Sequence, residues 1–280
     1  MTIHDIQAID VHGHYGVYFR HDFPALTNQF ATGDARTVAQ RAKDNNIEWT
    51  AVSPLLGLMP RGEADATVGN DEASRVVPEI DGLLQWVIID PLRPETYEQA
   101  EHALTQPHCV GIKIHPEEHV YPIRQHGRAI FEFAAKHDAL VLTHSGEANS
   151  LPADIVVFAN DHPNVRVILA HIGCSSTADR TLQVRGIQQS RHGNVYADTS
   201  SAMGITPGLI EWAVGEVGAD RVLFGTDTPL YSASMQRARI DKAELSDDEK
   251  RLILRDNAAK LLVHQRARIE PLDLRGVSGV

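Results

Sequence analysis

Eight apolar runs recur along the chain and alternate with stretches of helical spacing. The runs cover residues 6–14, 47–54, 83–91, 109–116, 139–146, 165–173, 194–202 and 221–229. Near-continuous apolar stretches such as Trp86-Val87-Ile88-Ile89 and Val165-Arg166-Val167-Ile168-Leu169-Ala170 suit parallel strands covered on both faces. Helical patterns fall at residues 34–46, 94–104, 124–136, 151–160, 177–189 and 207–217, and a last one at 247–263 closes the series. Asp34 stands where an N-cap is expected, and Pro94 opens a first turn, where its missing N–H costs nothing. Residues 266–280 have little periodicity and are expected to form an irregular tail.

Strand–helix alternation implies a parallel sheet, and eight such units suggest closure into a (β/α)8 TIM barrel. An open doubly wound sheet is the alternative. No linker or composition break divides the chain, so one domain over residues 1–280 is expected. Two strand-to-helix loops are long. Residues 15–33 carry Tyr15, Tyr18, Phe19 and Phe23, and residues 55–68 carry Met59 and Arg61. In a barrel both would lie at the C-terminal face, either as walls of a site or as ordinary loops packed on the rim.

Composition narrows the function. A chain of 280 residues buries enough surface to need no disulfide or metal staple. With 26 basic against 37 acidic residues, the net charge of -11 argues against nucleic acid as the main partner. Cys109 and Cys174 sit in apolar runs and read as reduced core residues. The first ten residues show no basic-then-apolar leader pattern, and no apolar stretch is long enough to span a bilayer. The expectation is a cytoplasmic protein that acts on a small molecule, away from membranes and nucleic acid, with self-association into a homo-oligomer left open. The unusual number is 15 histidines. Imidazole is the commonest side-chain metal ligand, so their placement matters.

The first apolar run ends in Asp10-Val11-His12-Gly13-His14. Strand residues two apart share a face and lie ~7 Å apart, so two imidazoles there can converge on one ion. Taken alone, the motif is short enough to be incidental. Later runs end in the same manner: Lys113 and His115 before Pro116, His144 before Ser145-Gly146, His171 before Ile172-Gly173, and Asp227 after Gly225-Thr226. In a barrel these ends form one ring. A buried charge or imidazole needs a partner, and a shared metal would satisfy several together. His115 is expected in a turn before Pro116. Glu147 is expected either against substrate or at the start of the next helix. Asp10 lies deeper than the histidine pair and is expected to support a ligand rather than react.

In the identity and order of these strand ends, the sequence resembles the amidohydrolase superfamily, and its amidohydrolase-related branch in particular. The resemblance runs from Asp10-Val11-His12-Gly13-His14 to Phe224-Gly225-Thr226-Asp227. It implies a barrel with one or two divalent metals, zinc first among the candidates. By that resemblance His12, His14 and Asp227 would hold the more buried ion, with His144 and His171 as further ligands. Lys113 would bridge two ions if carboxylated, and would otherwise be an ion-pairing lysine. Asp227 and His171 are the implied catalytic residues. The activity expected is hydrolysis of an amide, ester or lactone of a small molecule by metal-activated hydroxide. The alternative is a metal-dependent decarboxylase of an aromatic or unsaturated acid.

Overall fold

The computed structural model describes residues 3–201 and 205–266. Eight parallel strands pair in sequence order: β1 (Ala8–Tyr15), β2 (Ile47–Pro54), β3 (Leu83–Ile88), β4 (Cys109–Ile114), β5 (Val141–Thr143), β6 (Val167–Leu169), β7 (Val195–Asp198) and β8 (Val222–Leu223). β8 contains just two residues, yet the chain beyond it closes the circle against β1. Val11 N donates to Phe224 O at 3.0 Å, Asp227 N to His12 O at 2.7 Å, and His14 N to Thr228 O at 2.6 Å. This is the (β/α)8 TIM barrel that the alternation predicts, not the open sheet.

The helices are α1 (Ala25–Phe30), α2 (Ala35–Asp44), α3 (Ala66–Val76), α4 (Glu95–Ala103), α5 (Ile123–His137), α6 (Pro152–Asp161), α7 (Leu182–Gln188), α8 (Leu209–Val217), α9 (Ala233–Asp241), α10 (Asp247–Arg251) and α11 (Asn257–Arg266). The expected cap is present, since Asp34 accepts from Thr37 N at 2.7 Å and starts α2. The last expected helix is broken into α10 and α11 by a π-helical turn at Leu252–Asp256. Three helices, α1, α3 and α9, go beyond the sequence expectation. Residues 267–280 of the expected tail, and Ala202 at the end of the seventh run, lie outside the described residues.

Apolar side chains form two layers. One lies between the strands and the helices and includes Val87, Ile112, Ile130, Phe131, Val167 and Phe224. The other fills the barrel interior with Ile9, Val11, Trp86, Val110, Leu140, Leu142 and Ile168. Ala258, Leu261 and Leu262 of α11 join this interior layer, so the C-terminal helix plugs one mouth of the barrel. The plug leaves the opposite mouth, at the C-terminal ends of the strands, for polar groups. No described helix is long and apolar enough to cross a membrane.

Candidate metal centre

β1 delivers the histidine pair. A register irregularity in its ladder with β2 falls between Asp10 and Gly13, where a bulge can re-aim side chains. Gly13 is needed there: a Cβ would come within 2.7 Å of the Thr50 side chain. The rings of His12 and His14 stand edge to face with centroids 5.2 Å apart. Both Nε2 atoms turn toward Asp227 Oδ1, at 3.7 Å from His12 and 3.2 Å from His14.

The opposite edges of the two rings are held from behind. His12 Nδ1 lies 2.9 Å from Asp198 Oδ2. His14 Nδ1 lies 3.2 Å from the Ser53 carbonyl and 3.0 Å from its hydroxyl. A carboxylate and a carbonyl accept, so each Nδ1 carries the proton and each Nε2 presents a lone pair. Both Nε2 atoms and a carboxylate oxygen therefore face one shared space, where Lys113 Nζ also approaches His12 Nε2 at 2.9 Å. Imidazole and carboxylate donors so placed suit a divalent metal.

Electrostatics agree. Burial pushes the His12 imidazole down to about 4, with Lys113 adding to the effect, and burial pushes His171 down to about 3. Both are neutral near pH 7, the state a ligand requires. Burial would raise the Asp227 carboxyl, but the surrounding imidazoles more than offset this and hold it well below its usual range.

Lys113 is buried at the end of β4, and its Nζ donates to His12 Nε2 at 2.9 Å. Burial lowers this ammonium to about 8, against the opposing pull of Asp227 and Asp198. His171 follows β6 and stacks on His12 at 4.7 Å, and its Nδ1 lies 2.8 Å from Ser200 Oγ. His144 follows β5. Its Nε2 lies 2.8 Å from Glu147 Oε2, while its Nδ1 is buried with no hydrogen-bond partner among the described residues. His115 stacks on His144 at 4.3 Å, so its ring faces the site rather than serving the turn alone. Glu147 reaches His144; the next helix, α6, has Leu151 at its N-cap position and no side-chain cap.

Thus His12, His14 and Asp227 converge as one group that could hold a metal ion, with Lys113, His171 and His144 around it. A second grouping joins His12, His171 and Asp198. Its carboxylate is already engaged: Asp198 Oδ1 accepts from His171 N and Ser200 N, both at 3.0 Å, and from the Ser200 hydroxyl. Asp198 is therefore a support behind His12. The sequence reading passed over Asp198, Ser200 and Ser53, although Tyr196-Ala197-Asp198-Thr199-Ser200 ends the seventh run just as the others end, in a titratable residue. Asp10 does act from below, accepting from His12 N at 3.0 Å and from Thr226 Oγ at 2.6 Å. His171 and Asp227 both sit at positive φ, 72° and 57°. Such backbone in non-glycine residues costs roughly 1–3 kcal/mol and concentrates at functional sites.

Comparison with solved structures finds the same architecture. A TIM-barrel protein from Bordetella bronchiseptica aligns with a TM-score of 0.71 at 18% identity, covering 94% of this chain and 100% of that one. A dihydroxybenzoic acid decarboxylase from Polaromonas sp. JS666, with bound manganese and 2-nitroresorcinol, aligns at 0.70 and 14% identity, covering 96% and 99%. A 5-carboxyvanillate decarboxylase from Sphingomonas paucimobilis aligns at 0.69 and 15% identity, covering 94% and 99%. At such identities the likeness is one of fold. A search of curated protein sequences finds no match. The family model described as amidohydrolase matches residues 9–263, from the strand that carries the histidine pair to the helix that plugs the barrel, and on that match the chain belongs to the amidohydrolase family.

Proposed function

We propose that this protein is a metal-dependent lyase that releases carbon dioxide from an aromatic or unsaturated carboxylic acid. The observation that carries this reading is the convergence of His12, His14 and Asp227 on one shared space. Lys113 is turned against His12, and His144 is turned to Glu147. A second grouping, of His12, His171 and Asp198, has its carboxylate already engaged by backbone and hydroxyl donors. Two solved decarboxylases of this fold contain manganese, which suits the same donors as zinc.

His12, His14 and Asp227 would hold the ion. When bound, it supplies positive charge that draws electron density from the substrate. Loss of carbon dioxide leaves an electron pair on carbon, which must receive a proton. His171 is the proposed carrier. Ser200 holds its Nδ1, and the other ring nitrogen has no protein partner among the described residues. Burial keeps the ring neutral, so it takes up a proton from a substrate hydroxyl or from solvent and returns it to the carbon.

The hydrolase reading has one observation in its favour. Burial brings Lys113 down to about 8, so a neutral amine, the form that reacts with carbon dioxide to give a carbamate, is accessible near pH 8. Asp227 would then accept the proton of an attacking water.

The deciding experiment offers protein loaded with manganese or zinc to hydroxy- and methoxy-benzoic acids and, separately, to esters, lactones and amides. Carbon dioxide released in step with loss of the acid supports the lyase. Hydrolysis with no carbon dioxide, together with two metal equivalents per chain, transfers the assignment to the hydrolase.

A further inference from the structure

The turn after β4 carries an imidazole that has no part in the proposed ligand group or in the proton transfer. The ring of His115 lies flat on that of His144, with centroids 4.3 Å apart and planes 10° apart, and the His144 ring stands 5.1 Å from that of His171. His12, His14, His144 and His171 are buried, whereas His115 keeps part of its surface exposed. Its Nδ1 faces back into its own turn and accepts from Glu118 N at 3.3 Å. A ring nitrogen that accepts carries no proton, so the hydrogen of this ring is on Nε2. Among the described residues, Nε2 has no hydrogen-bond partner.

The turn holds this donor in place. His119 N donates to His115 O at 3.1 Å, and His119 Nε2 donates to Gly57 O at 2.9 Å, which ties the turn to the loop after β2. On the other side, Glu117 accepts from Asn149 N at 2.7 Å and from Ser150 Oγ at 3.2 Å, both in the loop after β5. The strand order sets the direction across the site. β4 and β5 lie across the barrel from β1 and β8, whose ends bring His12, His14 and Asp227 together. A substrate with its carboxylate at those three residues has its far side toward the rim that carries His115.

We infer that His115 contacts the substrate, its Nε2–H donating a hydrogen bond to a hydroxyl or carbonyl oxygen carried away from the leaving carboxylate. The inference rests on the lyase reading for the reaction, and adds to it the residue that selects this oxygen. His115 gives up no proton in this role; proton transfer stays with His171. When carbon dioxide leaves, the electron pair left on carbon is shared with any oxygen conjugated to it. A donor already fixed at that oxygen steadies the charge that develops there, with no rearrangement at the moment of reaction.

The test is calorimetry on the manganese-loaded protein, with benzoate and its three monohydroxy derivatives as probes. At least one hydroxybenzoate should bind about 3- to 10-fold tighter than benzoate, the worth of one neutral hydrogen bond. His115→Phe keeps a flat ring for His144 and removes the N–H, so that ratio should fall close to one. His115→Gln, whose amide returns an N–H, should recover it in part. Bound manganese should be the same in both variants as in the parent, which separates a substrate contact from a metal ligand. No preference for any hydroxybenzoate, binding of none of the four acids, an unchanged ratio in His115→Phe, or loss of manganese in both variants overturns the inference. A ratio that depends on His115, in a protein that releases no carbon dioxide from any acid, keeps the contact and removes the lyase. Carbon dioxide release from a hydroxybenzoate with the same kcat/KM in the parent and in His115→Phe does the reverse.

Discussion

His12 uses its two ring nitrogens differently. Asp198 grips Nδ1 at 2.9 Å, which leaves Nε2 to the shared space with His14 and Asp227. In Asp198→Asn, an amide can offer N–H to that nitrogen and reverse the tautomer. Metal affinity should fall roughly 10–100-fold with the fold intact; competition with a chelator reads this, and unchanged affinity would remove Asp198 from its supporting role. Asp227→Asn is a clean chemical test, because asparagine tolerates the left-handed backbone found there, φ 57°. Turnover should drop about 10²-fold or more while far-UV dichroism is unchanged. The residues that converge at the strand ends were legible in the sequence because a charge or imidazole at the end of an apolar run is chemically out of place. Asp198 was not, since its partner His12 lies 186 positions away and the contact exists only once the barrel closes.

Among the elements, apolar runs marked every strand, but their ends were read too long. Residues 144–146 and 171–173 remain buried after the ladder stops, so burial continues where strand geometry does not. Helix α9 was missed for a related reason. Its buried face includes Gln236 and Arg237, and Arg237 donates to the carbonyls of Ile3, Ile6 and Asn46, so hydrogen bonds stand where an apolar stripe would be sought. Two substitutions probe elements directly. Asp34→Ala removes the cap of α2 and should cost about 1 kcal/mol in denaturant unfolding. Gly111→Ala should cost more, about 1–3 kcal/mol, because the new methyl meets the Leu140 carbonyl and the Trp86 ring at a φ of 155°. A smaller loss for Gly111→Ala than for Asp34→Ala would contradict the close approach of β4 to β5.

In the whole molecule, burial raises the thiols of Cys109 and Cys174 to about 12. A raised thiol carries less thiolate at any given pH, so both should resist a thiol reagent at pH 8 until the chain is unfolded, when both react. Rapid labelling of the native protein would show that these regions open. Barrel closure has a larger consequence. The hydrogen bonds that join the first and last strands run through the backbone of Val11, His12, His14 and Asp227, and three of these four residues supply the proposed metal ligands. An ion held by them is a clasp across the seam of the hoop as well as a reagent. Saturating metal should raise the melting temperature by roughly 5–10 °C, as expected for ~100 times its dissociation constant in a chain of this size. Amide exchange should slow first at His14 and Asp227. A protein of this design would lose its chemistry and the latch of its barrel in a single event, on removal of the proposed metal.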